Sequence, residues 1–364
     1  MRALRPTAAA LFALGLASTS SAPRAEPLFN DVHFHLTNYV QQGPSAAQFL
    51  QTMGGAVGRS ALFGIPLQQT WSHENSGDFA PTYYLQTDAP LYYYSFTDAW
   101  IAMQYRALTP EQQARFEPMI TGFNPADMYG VEHIRRVLLT FPGVFSGIGE
   151  FTIHKEFVSS KVAGDTASLV DPALGRILEF AAESGLVVLL HNDIDIPFAK
   201  TNAEPVYLTQ MKDLLRKHPQ AQIIWAHTGL GRVVHPVRAQ AAATSAERPA
   251  NHRDLIEAML EDASLSHVRF DISWDEVAKY LVATPETTRA AADLINRFPD
   301  RFLFGTDNVA PPDPATHLAV YRMYEPLWAL LTPEASRKVR LDNFARIFDA
   351  AKPKVRAWEK ANAR

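Results

Sequence analysis

Six residues have the types and positions from which chemistry could be built: His33, His35, Glu150, His191, His227 and Asp307. The chain holds no cysteine, which excludes disulfides, thiolate nucleophiles and cysteine-bound zinc. Any metal must be held by histidine and carboxylate, and imidazole suits zinc, copper, iron or nickel. The densest stretch is Asp31-Val32-His33-Phe34-His35. Residues two apart on a strand share a face. A strand over 29–35 therefore projects His33 and His35 together and turns Phe34 the other way.

The elements that must position these residues alternate along the chain. Apolar, β-branched runs that end in polar residues predict strands over 29–35, 61–66, 118–123, 144–151, 186–191, 222–227, 267–273 and 301–307. Helical spacing of apolar residues fills most intervals, over 127–139, 172–184, 206–217, 253–262 and 285–298. Gly185 follows the second of these and Pro299 the last, as helix stops do. Near-continuous apolar strands alternating with helices predict a parallel sheet covered on both faces. Eight such units favour closure into a distorted (β/α)8 TIM barrel. An open doubly wound sheet is the rival, but no glycine-rich phosphate loop follows the first strand. Between the second and third strands lies an aromatic-rich insertion, 68–116, with Trp71, Tyr83, Tyr84, Tyr92, Tyr93, Tyr94, Trp100 and Tyr105. Within it 97–108 reads as a helix, and Thr109-Pro110-Glu111 opens another. The insertion is either a lid or wall for a substrate pocket or a side subdomain packing its own aromatics.

In a closed barrel the carboxyl ends of the strands share the face where active sites lie. Five predicted strands end there in His33 and His35, Glu150, His191, His227 and Asp307. Singly, each has a plainer explanation. His191 could be a satisfied buried histidine, Asp307 could cap a turn, and Glu150 could pair with Lys155. Together, six polar groups at one barrel mouth need partners, because unpaired burial is costly. A divalent metal supplies that compensation. Lys155 and His154, in the loop after the fourth strand, could meet an anionic substrate group or form a solvated charge cluster. Arg232 could bind a carboxylate or form a structural ion pair. Asp271 and Trp274 end the seventh strand, where they could line the pocket or, for Asp271, orient a ligand histidine. His73, His133, His218, His235, His252, His267 and His317 read as surface or packing residues.

The order His33-Phe34-His35, Glu150, His191, His227, Asp307 resembles the amidohydrolase superfamily, in its amidohydrolase-2 group of metal-dependent hydrolases. Trp225-Ala226-His227-Thr228-Gly229 and Asp342-Asn343-Phe344-Ala345-Arg346-Ile347-Phe348 resemble the group too. The resemblance implies that His33, His35 and Asp307 hold a more buried metal and that His191 and His227 hold a second. Glu150 would bridge the two, where other members use a carboxylated lysine. Zinc, two ions per chain, is the expected cofactor. Metal-activated water would attack a carbonyl or phosphoryl centre of a small molecule (an amide, ester, lactone or phosphoester), with Asp307 as the base. Two alternatives stand beside this reading. One is a one-metal decarboxylase of an aromatic or unsaturated acid. The other is a catalytically silent barrel that binds a ligand.

Residues 1–25 combine Arg2 and Arg5, an apolar run over 8–16 and small residues over 18–22. That is the three-part pattern of a secretory signal peptide, and the run is shorter than the ~20 residues a membrane helix needs. The expectation is an exported protein, periplasmic or secreted, with residues 26–364 as one barrel and no membrane attachment after processing. A net charge of -4 without a basic stripe argues against nucleic acid. The expected partner is a small-molecule substrate, and a homo-oligomer is compatible with the sequence.

Overall fold

In the computed structural model, which describes residues 26–38, 41–65, 78, 96–156, 167–198, 205–232 and 251–363, the apolar runs become short parallel strands. They are β1 (Phe29–Asp31), β2 (Phe34–His35), β3 (Val57–Leu62), β4 (Phe116–Ile120), β5 (Gly147–Thr152), β6 (Val187–His191), β7 (Gln222–Trp225), β8 (Arg269–Asp271), β9 (Phe302–Leu303) and β10 (Asn308–Val309). Eight of them form one sheet in the order β1-β3-β4-β5-β6-β7-β8-β9. Its two edges meet. Val32 N donates to Phe304 O (3.2 Å), Asp307 N donates to His33 O (2.7 Å), and β10 pairs in parallel with β2. The result is a distorted (β/α)8 barrel, as the alternation of elements predicts.

Buried strands alternate between two cores because successive side chains face opposite ways. Val32, Ala61, Val187, Leu189, Ile224, Ala226 and Leu303 cluster inside the barrel. Val188, Leu190, Ile223 and Trp225 pack outward against the helices. The helix Asn343–Asn362 adds Phe344, Ile347, Phe348 and Ala351 to the inner cluster. Asn343 Nδ2 ties this helix to the Pro299 and Phe302 carbonyls, each at 2.8 Å.

Several boundaries differ from the sequence reading. The first strand is interrupted between Asp31 and Phe34, and the last is split around 304–307. In both places backbone groups bond across the seam instead of along a regular ladder. The run predicted over 61–66 forms a strand earlier, as Val57–Leu62, and 226–229 is a 3-10 turn. The helix predicted over 172–184 occurs as Pro172–Ser184, with Asp171 accepting from Ala173 N and Gly185 left-handed at its end. Of the insertion, the described part packs on the barrel. Ile101, Ala102 and Tyr105 of the helix Thr97–Arg106 are buried, and Asp98 accepts from Thr121 N and Gly122 N. Trp71, Tyr83, Tyr84, Tyr92, Tyr93 and Tyr94 lie outside the described residues, as do residues 1–25. Among the described residues no helix is long and apolar enough to cross a membrane.

The helix His252–Glu261 is held to the turn after β7 by His252, whose Nε2 donates to Thr228 O (2.8 Å). Burial pushes this imidazole down to about 4 from an ordinary 6.5. The unfolded chain therefore takes a proton that the folded chain refuses as pH falls from 6.5 towards 4. Stability is fully present above that window and is lost through it, by about 3 kcal/mol for this one group. Urea midpoints from pH 7 to pH 4.5 should fall more steeply for the wild type than for His252→Gln, whose amide can donate the same bond. Equal slopes would show that His252 is not a buried titrating group.

Candidate metal centre

Each ligand candidate reaches the barrel mouth by a local device. The segment after β9 passes so close to β1 that a Cβ on Gly305 would lie 2.8 Å from His33 N. Asp31 accepts from His33 N (3.1 Å) and Thr306 N (2.8 Å), and Thr306 Oγ1 donates to its other oxygen (2.6 Å). These bonds fix the two strands that deliver His33 and Asp307. Asp307, His227, Thr228 and Trp274 all adopt positive φ without being glycine. Such residues cost on the order of 1–3 kcal/mol each and gather where function requires a particular side-chain direction.

The six predicted residues come together. His33, His35, Glu150 and Asp307 place donor atoms within 4.8 Å of one another, and so do Glu150, His191 and His227. His33 Nε2 and His35 Nε2 lie 3.2 and 3.1 Å from Asp307 Oδ1. They lie 3.6 and 3.5 Å from Glu150 Oε2. Glu150 Oε1 faces the other side, 2.5 Å from His191 Nδ1 and 3.6 Å from His227 Nε2. Five of the six are buried, and Asp307 is the most open, at 10% side-chain exposure.

Hydrogen bonds at the far ring nitrogens decide which nitrogens carry lone pairs. His35 Nδ1 donates to the Gly64 carbonyl (2.6 Å). His33 Nδ1 donates to Asp271 (2.9 Å). Ser273 Oγ donates to Asp271 (2.5 Å) and stands 3.0 Å from His227 Nδ1, where it can accept. Three Nε2 lone pairs are thus aimed at one point beside two carboxylates. Burial pushes the Glu150 and Asp307 carboxyls up. Positive charge at Lys155, His191 and His33 around Glu150, and charge at His33 and His227 with hydrogen bonds from His33 and His35 around Asp307, nonetheless hold both well below the usual carboxylate range. Burial opposes a charge on His33 too, but Asp307, Asp271 and Glu150 raise it well above 6.5.

This donor set fits a divalent ion. His33 Nε2 and His227 Nε2 are buried with no hydrogen-bond partner, a costly state unless something else compensates them. Neighbouring ligands around a tetrahedral zinc lie ~3.4 Å apart when each is ~2.1 Å from the ion. The separations of 3.1–3.6 Å to Asp307 and Glu150 Oε2 match that arrangement.

The weaker candidates sit at the rim. Lys155 Nζ and the Arg232 guanidinium both lie over the Trp274 ring, at 5.6 and 5.2 Å, and that ring is 5.1 Å from His227. Arg232 also pairs with Glu276 (3.5 Å). His154 stacks on Tyr207 at 3.8 Å, and burial pushes it down to about 4. Asp271 takes the orienting position that the sequence suggested for it. Ser273 and Asp193 were not anticipated. Their signal was present, since each stands two residues beyond a strand-end site residue, in Asp271-Ile272-Ser273 and His191-Asn192-Asp193. Among the remaining histidines, His252 and His317 are buried packing residues, and His73 and His235 lie outside the described residues.

A closed parallel barrel with a histidine–carboxylate cluster at its carboxyl face defines a class of metal-dependent barrel enzymes. The chain belongs to the amidohydrolase family, whose model matches residues 31–350. It is an enzyme of that family. No curated protein matches it. Solved structures share the fold at low identity. An uncharacterised TIM-barrel protein of Bordetella bronchiseptica superposes with a TM-score of 0.50 at 11% identity, over 88% of this chain and 99% of its own. A 2,6-dihydroxybenzoate decarboxylase complexed with 2,6-dihydroxybenzoate gives 0.52 at 13%, over 89% and 100%.

Proposed function

We propose that the protein is a hydrolase that acts on a small molecule with two divalent ions, zinc in the first place. The observation that carries this reading is the division of Glu150. One oxygen faces His33 and His35, and the other faces His191 and His227, as a bridging carboxylate requires. His33, His35 and Asp307 would hold one ion and His191 and His227 the other. When bound, such ions polarise a scissile oxygen and make water acidic enough to attack near neutral pH. Asp307, the most open of the six, would accept a proton from the attacking water and pass it to the leaving group. Lys155 and Arg232, over the Trp274 ring, would meet an anionic part of the substrate. The attacked group is a carbonyl or phosphoryl centre. The leader-like pattern of residues 1–25 supports export, which cell fractionation would test.

A decarboxylase that uses one ion is the second reading, and His191 favours it. Both ring nitrogens of His191 already face carboxylates, Glu150 at 2.5 Å and Asp193 at 3.0 Å. A single ion would then occupy the His33, His35, Glu150 and Asp307 set. Elemental mass spectrometry on protein purified without chelators or a histidine tag separates the two. About two ions per chain, with turnover of an ester, lactone, amide or phosphoester, is the expected result. One ion with carbon dioxide release from an aromatic acid would replace the hydrolase reading. No ion after addition of zinc, manganese or cobalt would remove both.

A further inference from the structure

We infer that the cavity between the helices His252–Glu261 and Pro285–Arg297 is a second ligand site, which takes a neutral, largely apolar ring molecule and braces the turn that carries His227. The inference goes beyond the proposed function and does not depend on it. The cavity has a volume of about 270 Å³. Ile256, Leu294, Ile295 and Phe302 line it, all from the layer where strands pack against helices. A cavity of ~150 Å³ lined by such side chains takes up benzene, so this one has room for two fused rings. The charges on its described wall are already paired. Glu286 pairs with Arg289 (3.0 Å), and Arg253 pairs with Glu257 and Asp254. Burial pushes His252 down to about 4 and Tyr280 up to about 12, so both wall groups are neutral at pH 7. A charged ligand would lose its water here without gaining a counter-ion. Among the described residues, the buried Nε of Arg253 has no hydrogen-bond partner. A hydroxyl oxygen on the ligand would supply one.

The cavity reaches the metal centre through the backbone. Thr228 and Ile272 form part of its wall. Thr228 follows His227 in the chain, and Ile272 stands between Asp271 and Ser273, the two residues behind His33 and His227. His252 Nε2 donates to Thr228 O (2.8 Å) across the same wall. His227 and Thr228 both hold positive φ, a conformation that persists only where the surroundings enforce it. A ligand packed against Thr228 and His252 adds to that enforcement, because the turn cannot relax without releasing it.

The test uses the full-length protein and 2-naphthol, a neutral fused ring with one hydroxyl. Isothermal titration should give one binding event with a Kd of about 100 µM or tighter, the range open to a ligand of this size. 2-Naphthoate, its anionic analogue, should compete for the same site at least ~10-fold less well; equal competition would overturn the neutral class. Ala291→Phe, which fills the cavity from the helix Pro285–Arg297, should abolish binding and leave metal content as in the wild type. Ala290→Phe, on the same wall, takes the same readouts if Ala291→Phe does not fold. Binding that survives a filled cavity overturns the site. Hydrogen exchange reads the brace. At about ten times the Kd, amides of 226–230 and 252–260 should exchange ~10-fold more slowly, since their opening must release the ligand. Binding without protection of 226–230 overturns the link to His227. No binding at all overturns the site and points to the chain filling its own cavity, with residues 233–250, which lie outside the described residues and lead to Asn251 on its wall. A wild type that holds no metal would end the proposed function and leave every one of these readouts in place.

Discussion

Asp307→Asn is expected to abolish turnover of whichever substrate the wild type hydrolyses, while the protein stays folded and keeps at least one ion. Loss of a general base alone costs ~10²–10⁴-fold. Asp307 has further work, because its Oδ1 also lies 3.1–3.2 Å from His33 Nε2 and His35 Nε2. The combined loss should therefore reach the upper end of that range or beyond it. The neutral amide keeps an oxygen that can face the ion, so metal content should fall less than activity does. That split between kcat and metal occupancy is the diagnostic measurement. Full activity in the variant would remove Asp307 as the base. Complete loss of metal would reassign it to binding alone.

Glu150→Gln is expected to have the second large effect, on metal content and stability together. The carboxylate faces two histidines with each oxygen, and burial alone would oppose its charge. Replacing one oxygen with an amide nitrogen removes a ligand atom and the bridging charge at once. The loss should exceed the ~10–100-fold that removing an outer hydrogen-bond partner costs a metal site. An ion present at about a thousand times its Kd stabilises the fold by ~4 kcal/mol. Added zinc should therefore raise the Tm of chelated wild type and raise that of the variant much less. Two ions per chain in Glu150→Gln, with an unchanged Tm response, would end the bridging reading.

These two variants rest on residues whose importance is legible along the chain. His33, His35, Glu150, His191, His227 and Asp307 stand at the ends of apolar runs, and a period-2 strand inside a closed barrel leaves such ends at one mouth. The helix Pro172–Ser184 is equally legible, because Asp171, Pro172 and Gly185 mark its limits through local backbone chemistry. The break in the first strand is not. It depends on Asp31 bonding to Thr306, 275 residues away, and no local propensity encodes that contact. The left-handed backbones of His227, Thr228 and Asp307 are hidden for the same reason, since neighbouring strands impose them against local preference.

The sequence by itself determined the fold class, the donor types available to a metal and the six candidates that carry them. Strand alternation and the absence of cysteine are local or compositional properties, readable without coordinates. Only the tertiary structure decided how those six divide. It turned the two oxygens of Glu150 towards different histidine pairs and set Asp271 and Ser273 behind His33 and His227. It also placed Asp193 behind His191. The physical reason is that a ring nitrogen becomes a ligand or a donor according to what stands at the opposite nitrogen. Those partners come from strands far apart in the chain and meet only when the barrel closes.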